Sequence, residues 1–245
     1  YGYKDYKAYA AMSYAAHMYG RMNPKASVYG KPMPALESLE TPSSCFSMMG
    51  EGAAAAILVP EEDAYLYTDH PVYIQGISLA CTSHYIAHRV GEEPMGPAFP
   101  AGLRREETYG QSAALIAAAR DAYEMAGITA KDIDLAQVYD LTAGSFWFLD
   151  GLGITEYGKG AQYFIDGKAL LDGGAVPINT DGGNIARGHA SGADGLNQVI
   201  ENVIQLREEA KERQVKDANC AVAACVGSAF AHMTVIVLTN DQFKI

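Results

Sequence analysis

Apolar and small residues fall at helical spacing at the start of the chain. Tyr6, Ala10, Ser13, Tyr14 and His17 predict a helix over 5–19, stopped by Gly20. A basic, proline-containing loop follows, Arg21-Met22-Asn23-Pro24-Lys25, and runs on through Lys31-Pro32-Met33-Pro34. The pattern then changes. Glu51 to Pro60 is a run of small and apolar residues closed by proline, which predicts a buried strand of an α/β sheet. Val72 to Ser78 predicts a second strand, and a Gly/Pro-rich loop over 94–103 leads into a helix from about 110 to 126. That helix carries Leu115, Ala118, Ala119, Ala122 and Ala126 on one face, with Gly127 as its stop.

Residues 132–140 predict a short strand that ends in polar residues. A helix over 193–210 is marked by Leu196, Val199, Ile200, Val203 and Ile204. Two closing strands, Cys220–Val226 and Met233–Leu238, are joined by a short connection. Strands alternating with helices predict a layered α/β domain. There is no repeat at solenoid spacing and no low-complexity segment, and the charged run Arg207–Lys216 reads as a solvated helix end.

Composition narrows the function classes. The chain has 245 residues, 49% hydrophobic and 19% charged, which is an ordinary globular balance able to bury a sizeable core. Lys+Arg number 18 against 29 Asp+Glu, a net charge of −11, so a nucleic-acid or anionic-membrane surface is disfavoured. Cys45, Cys81, Cys220 and Cys225 are too few and too irregular for a disulfide framework or a CxxC zinc site, which reads as no metal and a reducing, cytoplasmic compartment. No stretch reaches the ~18 apolar residues of a transmembrane helix. Tyr1 to Asp5 lacks the apolar core of a signal peptide and an initiator Met, and reads as a chain that begins inside a longer one.

Three motifs carry candidate chemistry. The densest is Asn179-Thr180-Asp181-Gly182-Gly183-Asn184-Ile185-Ala186-Arg187-Gly188-His189-Ala190-Ser191-Gly192-Ala193-Asp194-Gly195. Its glycines permit positive φ and close approach, and the helix that follows favours developing negative charge at its start. Nucleotide loops fail on detail. His189 follows Gly188 where a P-loop needs Lys, and Gly151-Leu152-Gly153 lacks the third glycine of a dinucleotide fingerprint. The bland alternative is a tight connection with a packed histidine. The second motif, Cys225-Val226-Gly227, ends an apolar strand, where a cysteine is ordinarily a small core hydrophobe. The third is Tyr139-Asp140 at the carboxyl end of a strand, where α/β sheets place their chemistry.

Together these motifs resemble the C-terminal half of the thiolase superfamily, most closely thiolases of the sterol-carrier-protein type. The family's Gly-His-Pro motif falls at Gly188-His189-Ala190, its Cys-x-Gly motif at Cys225-Val226-Gly227, and its His-Asp motif at Tyr139-Asp140. Glu51-Gly52-Ala53-Ala54-Ala55 resembles the strand closing the first half of the fold. The resemblance implies a layered α-β-α-β-α fold, mainly its C-terminal half, with residues 1–70 ending the N-terminal half and 71–245 forming the C-terminal domain. Two substitutions depart from the pattern, Tyr139 for histidine and Ala190 for proline, and no segment resembles the family's nucleophile helix. Cys45 reads as structural.

The resemblance implies a thiolase-type acyltransferase working on a carbon–carbon bond of a β-ketoacyl-CoA, with its nucleophilic cysteine outside these residues and no activity from this chain alone. His189 would activate that nucleophile, Cys225 would move the α-proton, and Tyr139 would polarise the carbonyl. Gly227, Gly188 and Asn184 would serve oxyanion or substrate binding. The Cys225 thiol, ordinarily near ~8.5, is expected to be tuned toward neutrality, and a tyrosine near ~10 to act as a donor. The alternatives are a retro-aldolase acting on a β-hydroxyacyl-CoA through Tyr139, or a non-catalytic scaffold subunit. Coenzyme A would be a substrate with no permanently bound cofactor, its phosphates met by Arg21, Lys25, Lys31, Arg104 or Arg105. Family likeness also implies a homodimer and a partner of the DUF35 type, a small OB-fold zinc-ribbon protein.

Overall fold

Four strands make one sheet: β1 (Val72–Cys81), β2 (Leu135–Val138), β3 (Cys220–Gly227) and β4 (His232–Asn240), in the order β1-β4-β3-β2. Strand β4 is antiparallel to both β1 and β3, and β2 runs parallel to β3. The computed structural model describes residues 6–84, 112–227 and 230–243.

Alternation along the strands sets the layers. Val222, Ala224, Val235 and Val237 point to one face, where α2 (Ser112–Ala126) lays down Ala118, Ala122 and Ala126. Leu135, Ala221 and Leu238 point to the other face and meet Val199, Val203 and Leu206 of a helix over Asp194–Leu206. The sheet is therefore covered on both sides, an α–β–α sandwich. The predicted stop at Gly127 holds. The Gly127 N–H donates to Glu124 O and the Ile128 N–H to Tyr123 O, closing the α2 C-terminus as a Schellman motif.

Helix α1 (Lys7–Gly20) packs on α4 (Gly160–Ile165) and on a wide turn over Gly183–Arg187, while α3 (Trp147–Gly151) lies between α2 and α4. Helix α5 is the Asp194–Leu206 segment above. Ala10 and Ser13 of the predicted stripe are fully buried on α1, together with Ala8, Met12, Ala15, Ala16 and Tyr19, whereas Tyr6 is exposed. Gly20 is the last helical residue and not a stop. A Cβ there would stand 2.9 Å from both Ala186 and Val28, so the glycine is a contact point between α1 and the turn.

Two expectations are corrected. Residues 51–60 are not a buried strand. They form no regular structure, and Ile57 and Leu58 are 89% and 77% exposed. No described strand lies beside them, and burial would strand their backbone N–H and C=O groups without partners. The helix predicted over 193–210 ends at Leu206, with a separate 3-10 turn over Lys211–Arg213. Its fully buried positions are mostly polar: Asp194, Gln198, Glu201, Asn202 and Gln205. Val199, Val203, Ile200 and Ile204 are only half-buried.

Glu201 and Gln205 of that stripe are partnered, whereas Gln198 Oε1, both side-chain polar atoms of Asn202 and Asp194 Oδ2 have no hydrogen-bond partner among the described residues. Glu201 Oε1 accepts from Thr180 Oγ1 at 2.9 Å, from Gln205 Nε2 at 3.0 Å and from the Arg213 guanidinium, which also donates to Thr180 O. Gln137 Nε2 completes the chain by donating to Thr180 Oγ1 at 3.0 Å. The network ties β2, the segment at 180 and α5 into one rigid support beneath the glycine-rich loop.

Candidate active site

The loop from Asn179 to His189 is folded around Asp140. Gly183 has a φ of +56°, and a Cβ there would collide with the Asp140 carboxylate, so only glycine lets the backbone close over it. Asp140 then accepts the Asn184 N–H at 2.7 Å and the Ile185 N–H at 3.4 Å. Burial pushes its pKa up to about 7, with nearby Asp181 adding to the rise; the Asn184 and Ile185 N–H groups and Arg187 partly oppose it.

This shift sets a pH dependence of stability. The folded pKa lies above the unfolded one, so between about pH 4 and pH 7 the native state holds a proton that the unfolded chain has lost. Stability should therefore fall as pH rises through that window, by about 1.4 kcal/mol per unit at most, and level off above it. Asp140→Asn, which keeps an oxygen for the Asn184 N–H, should flatten the slope in urea denaturation followed at pH 5 to 8. An unchanged slope would remove Asp140 as its source.

Past Gly188 the chain delivers His189 to the carboxyl ends of β2 and β3. Backbone bonds fix it: its N–H donates to Met48 O at 2.7 Å, and its C=O accepts from the Gly50 N–H at 2.9 Å. The buried imidazole meets Tyr139 just beyond the end of β2, with Nε2 2.7 Å from the phenol oxygen. On the other side, Nδ1 lies 3.3 Å from Asp194 Oδ2. Cys225 lies on the neighbouring strand β3, one residue after Ala224, whose C=O accepts the Tyr139 N–H at 3.1 Å. Of the three residues singled out in the sequence, Tyr139 and His189 meet directly, Cys225 lies on the adjacent strand, and Asp194 stands behind the histidine.

Protonation in this site is governed by burial. Desolvation, with Asp194 and then Cys225 adding to it, pushes the Tyr139 phenol up to about 12, so it is a hydrogen-bond donor at neutral pH. Desolvation likewise pushes the Cys225 thiol up to about 11, the Val226 backbone opposing the rise and Asp194 adding to it. The expectation of a thiol tuned toward neutrality is therefore corrected. Cys225 is held as a thiol, an acid and not a ready thiolate.

The remaining sequence candidates scatter. Asn184 is buried, its Oδ1 accepting from Arg187 at 2.7 Å while its Nδ2 has no partner. Gly188, at φ +123°, sits against Ser27, and Gly227 is exposed at the end of β3. Cys45 is buried in a 3-10 turn with its Sγ 3.4 Å from Thr41 O, and burial pushes its thiol up. Arg21 and Lys25 line a cleft of about 880 Å³ together with Lys211, and the cleft passes Gly188 and Ala190 on either side of His189. Lys31 is exposed away from its walls, and Arg104 and Arg105 lie outside the described residues. Among the described residues no group of three or more His, Cys, Asp or Glu side chains is placed to hold a metal, and no helix is long and apolar enough to cross a membrane.

Sequence reasoning passed over Asp194, Arg187 and Asp181. Arg187 Nε pairs with Asp181 Oδ2 at 2.8 Å and its Nη2 reaches Asp194 Oδ1 at 3.4 Å, all three nearly or fully buried. The available signal was an acid in the first turn of α5, five residues after the histidine.

A mixed sheet covered by helices on both faces, with Tyr139 and His189 paired at its strand ends, defines a layered α/β fold. Residues 102–240 match the thiolase C-terminal domain-like family, and the chain belongs to it. An acetyl-CoA acetyltransferase of Methanothermobacter thermautotrophicus is 37% identical over 182 residues, 74% of this chain and 43% of that protein. The chain thus spans less than half the length of that relative. Among solved structures, an Ltp2-ChsH2(DUF35) aldolase superposes with a TM-score of 0.71 at 17% identity, covering 97% of this chain and 59% of its own. A monomeric SCP2-thiolase-like protein type 1 from Mycobacterium smegmatis gives a TM-score of 0.58 at 17% identity, covering 95% of this chain and 46% of its own.

Proposed function

We propose that the chain supplies the C-terminal catalytic side of a thiolase-type acyltransferase that makes or breaks a carbon–carbon bond in a β-ketoacyl-CoA. The observation that carries this reading is the Tyr139–His189 hydrogen bond at the ends of β2 and β3, with Cys225 on the adjacent strand. His189 is the base that activates a cysteine nucleophile and then a donor to the thioester oxygen. Cys225, held as a thiol, protonates the carbanion released on cleavage. Tyr139 donates to the substrate carbonyl, with the exposed Gly227 and the loop at Gly188 and Asn184 as further oxyanion contacts.

The nucleophile is supplied from outside these residues, because no segment here resembles the family's nucleophile helix; burial also pushes the Cys45, Cys220 and Cys225 thiols up. Coenzyme A enters as a substrate with no permanently bound cofactor. Its phosphates would meet Arg21, Lys25 and Lys211 in the cleft, whose exposed walls also carry Glu51, Glu209 and Glu212. A DUF35-type partner is in keeping with the aldolase complex named above, and a homodimer and cytoplasmic location complete the proposal.

A specific observation favours a second reading. The nitrogen of His189 that would face a cysteine is already bonded to Tyr139, and a Tyr–His pair suits retro-aldol cleavage of a β-hydroxyacyl-CoA. One assay on the full-length protein separates the two. Release of acyl-CoA that requires free CoA supports the thiolase, and ketone or aldehyde release without CoA supports the aldolase. Turnover of neither substrate class would leave a scaffold subunit.

A further inference from the structure

Asp194 is 2% exposed at the first turn of α5, and its two carboxylate oxygens are used differently. Oδ1 accepts the Ala190 N–H at 3.2 Å and lies 3.4 Å from Arg187 Nη2. Oδ2 has no hydrogen-bond partner that meets ordinary angular geometry, and neither does His189 Nδ1. These two orphaned, buried atoms face one another at 3.3 Å. A buried polar atom left unpaired costs roughly 1–3 kcal/mol, so a small rotation of the ring that brings Nδ1–H onto Oδ2 satisfies both at once.

We propose that Asp194 is a positioning residue that fixes His189 as its Nδ1–H tautomer and so turns Nε2 into the acceptor for the Tyr139 hydroxyl. The logic is local. A neutral imidazole has one donor and one acceptor nitrogen, and the bond made at one nitrogen dictates the state of the other. Asp194 is an acceptor while ionised, and Arg187, itself paired with Asp181, keeps positive charge against it. The order of donation is then Tyr139 O–H to His189 Nε2, and His189 Nδ1–H to Asp194. The protein backbone supports the same arrangement, because the Ala190 N–H bond holds the carboxylate beside the ring it orients. An amide at this position would offer N–H as readily as C=O to Nδ1, and the tautomer would no longer be dictated.

The consequence for turnover rests on the catalytic reading of His189, but the tautomer does not. It is read directly by two-bond 1H–15N correlation spectra of the full-length, 15N-labelled protein at about pH 8, above the ordinary histidine range. The His189 signals are assigned by their loss in His189→Gln. The expected wild-type pattern is a protonated Nδ1 and an unprotonated Nε2. Asp194→Asn should convert it to the Nε2–H form or a mixture, and lower kcat about tenfold or more with KM little changed. A wild-type Nε2–H tautomer would overturn the proposal even if no variant folds, as would an Nδ1–H tautomer that survives Asp194→Asn. The tautomer changing as expected in a protein that turns over no acyl-CoA would instead remove the catalytic reading and leave this one standing.

Discussion

Replacing His189 by alanine should lower turnover of the complete enzyme at least ~10²-fold while leaving the protein folded, as removal of a general base or oxyanion donor does. The fold should survive because the backbone bonds of His189 to Met48 and Gly50 do not depend on its side chain. The imidazole does what no other described side chain can, since it links Tyr139 on one side to Asp194 on the other. Its removal also leaves the Tyr139 hydroxyl without an acceptor. Steady-state kinetics on an acyl-CoA substrate, with circular dichroism and a denaturation curve as the folding control, make the measurement. Wild-type rates in a folded variant would return His189 to a packing role.

Tyr139→Phe should cost about 2–4 kcal/mol in transition-state stabilisation with little change in stability. Phenylalanine keeps the ring edge-on to His189 and removes only the hydroxyl. The ranking against Cys225 then identifies the reaction. In a thiolase, Cys225→Ser should hurt more than Tyr139→Phe, and most in the carbon–carbon step, because a thiol held near pKa 11 is the acid for the leaving carbanion. In a retro-aldolase the order reverses, with Tyr139→Phe abolishing CoA-independent cleavage and Cys225→Ala tolerated. Both variants measured on one substrate, with and without free CoA, give the answer. If Tyr139→Phe is neutral and Tyr139→Ala only destabilises, the residue packs and both roles are lost.

Much of the secondary structure was legible from local pattern. The alanine face of α2 with Gly127 behind it, the apolar β3 and β4, and the glycine-rich entry to α5 all carry their signal within a dozen residues. The order of the motifs pointed to the right family, and Tyr139 and His189 meet in a hydrogen bond. Residues 51–60 misled because an apolar run reports willingness to be buried, not the presence of a strand to pair with. The charged run after α5 misled in the opposite direction. Arg213 is buried against Glu201, a contact between positions that hydropathy assigns to solvent.

What the sequence determined by itself is therefore the set of local elements and the family to which the chain belongs. Periodicity, helix stops and glycine placement act between near neighbours and need no fold to be felt. The protonation states and the partners were decided only by tertiary structure. Burial lifted Cys225 and Tyr139 away from the values their types suggest, because desolvation depends on everything packed around a group. Asp194 became the residue behind His189 only when the loop over Asp140 turned the chain back onto the start of α5. Such pairings cannot be read from spacing, since they depend on where the backbone goes between the two residues.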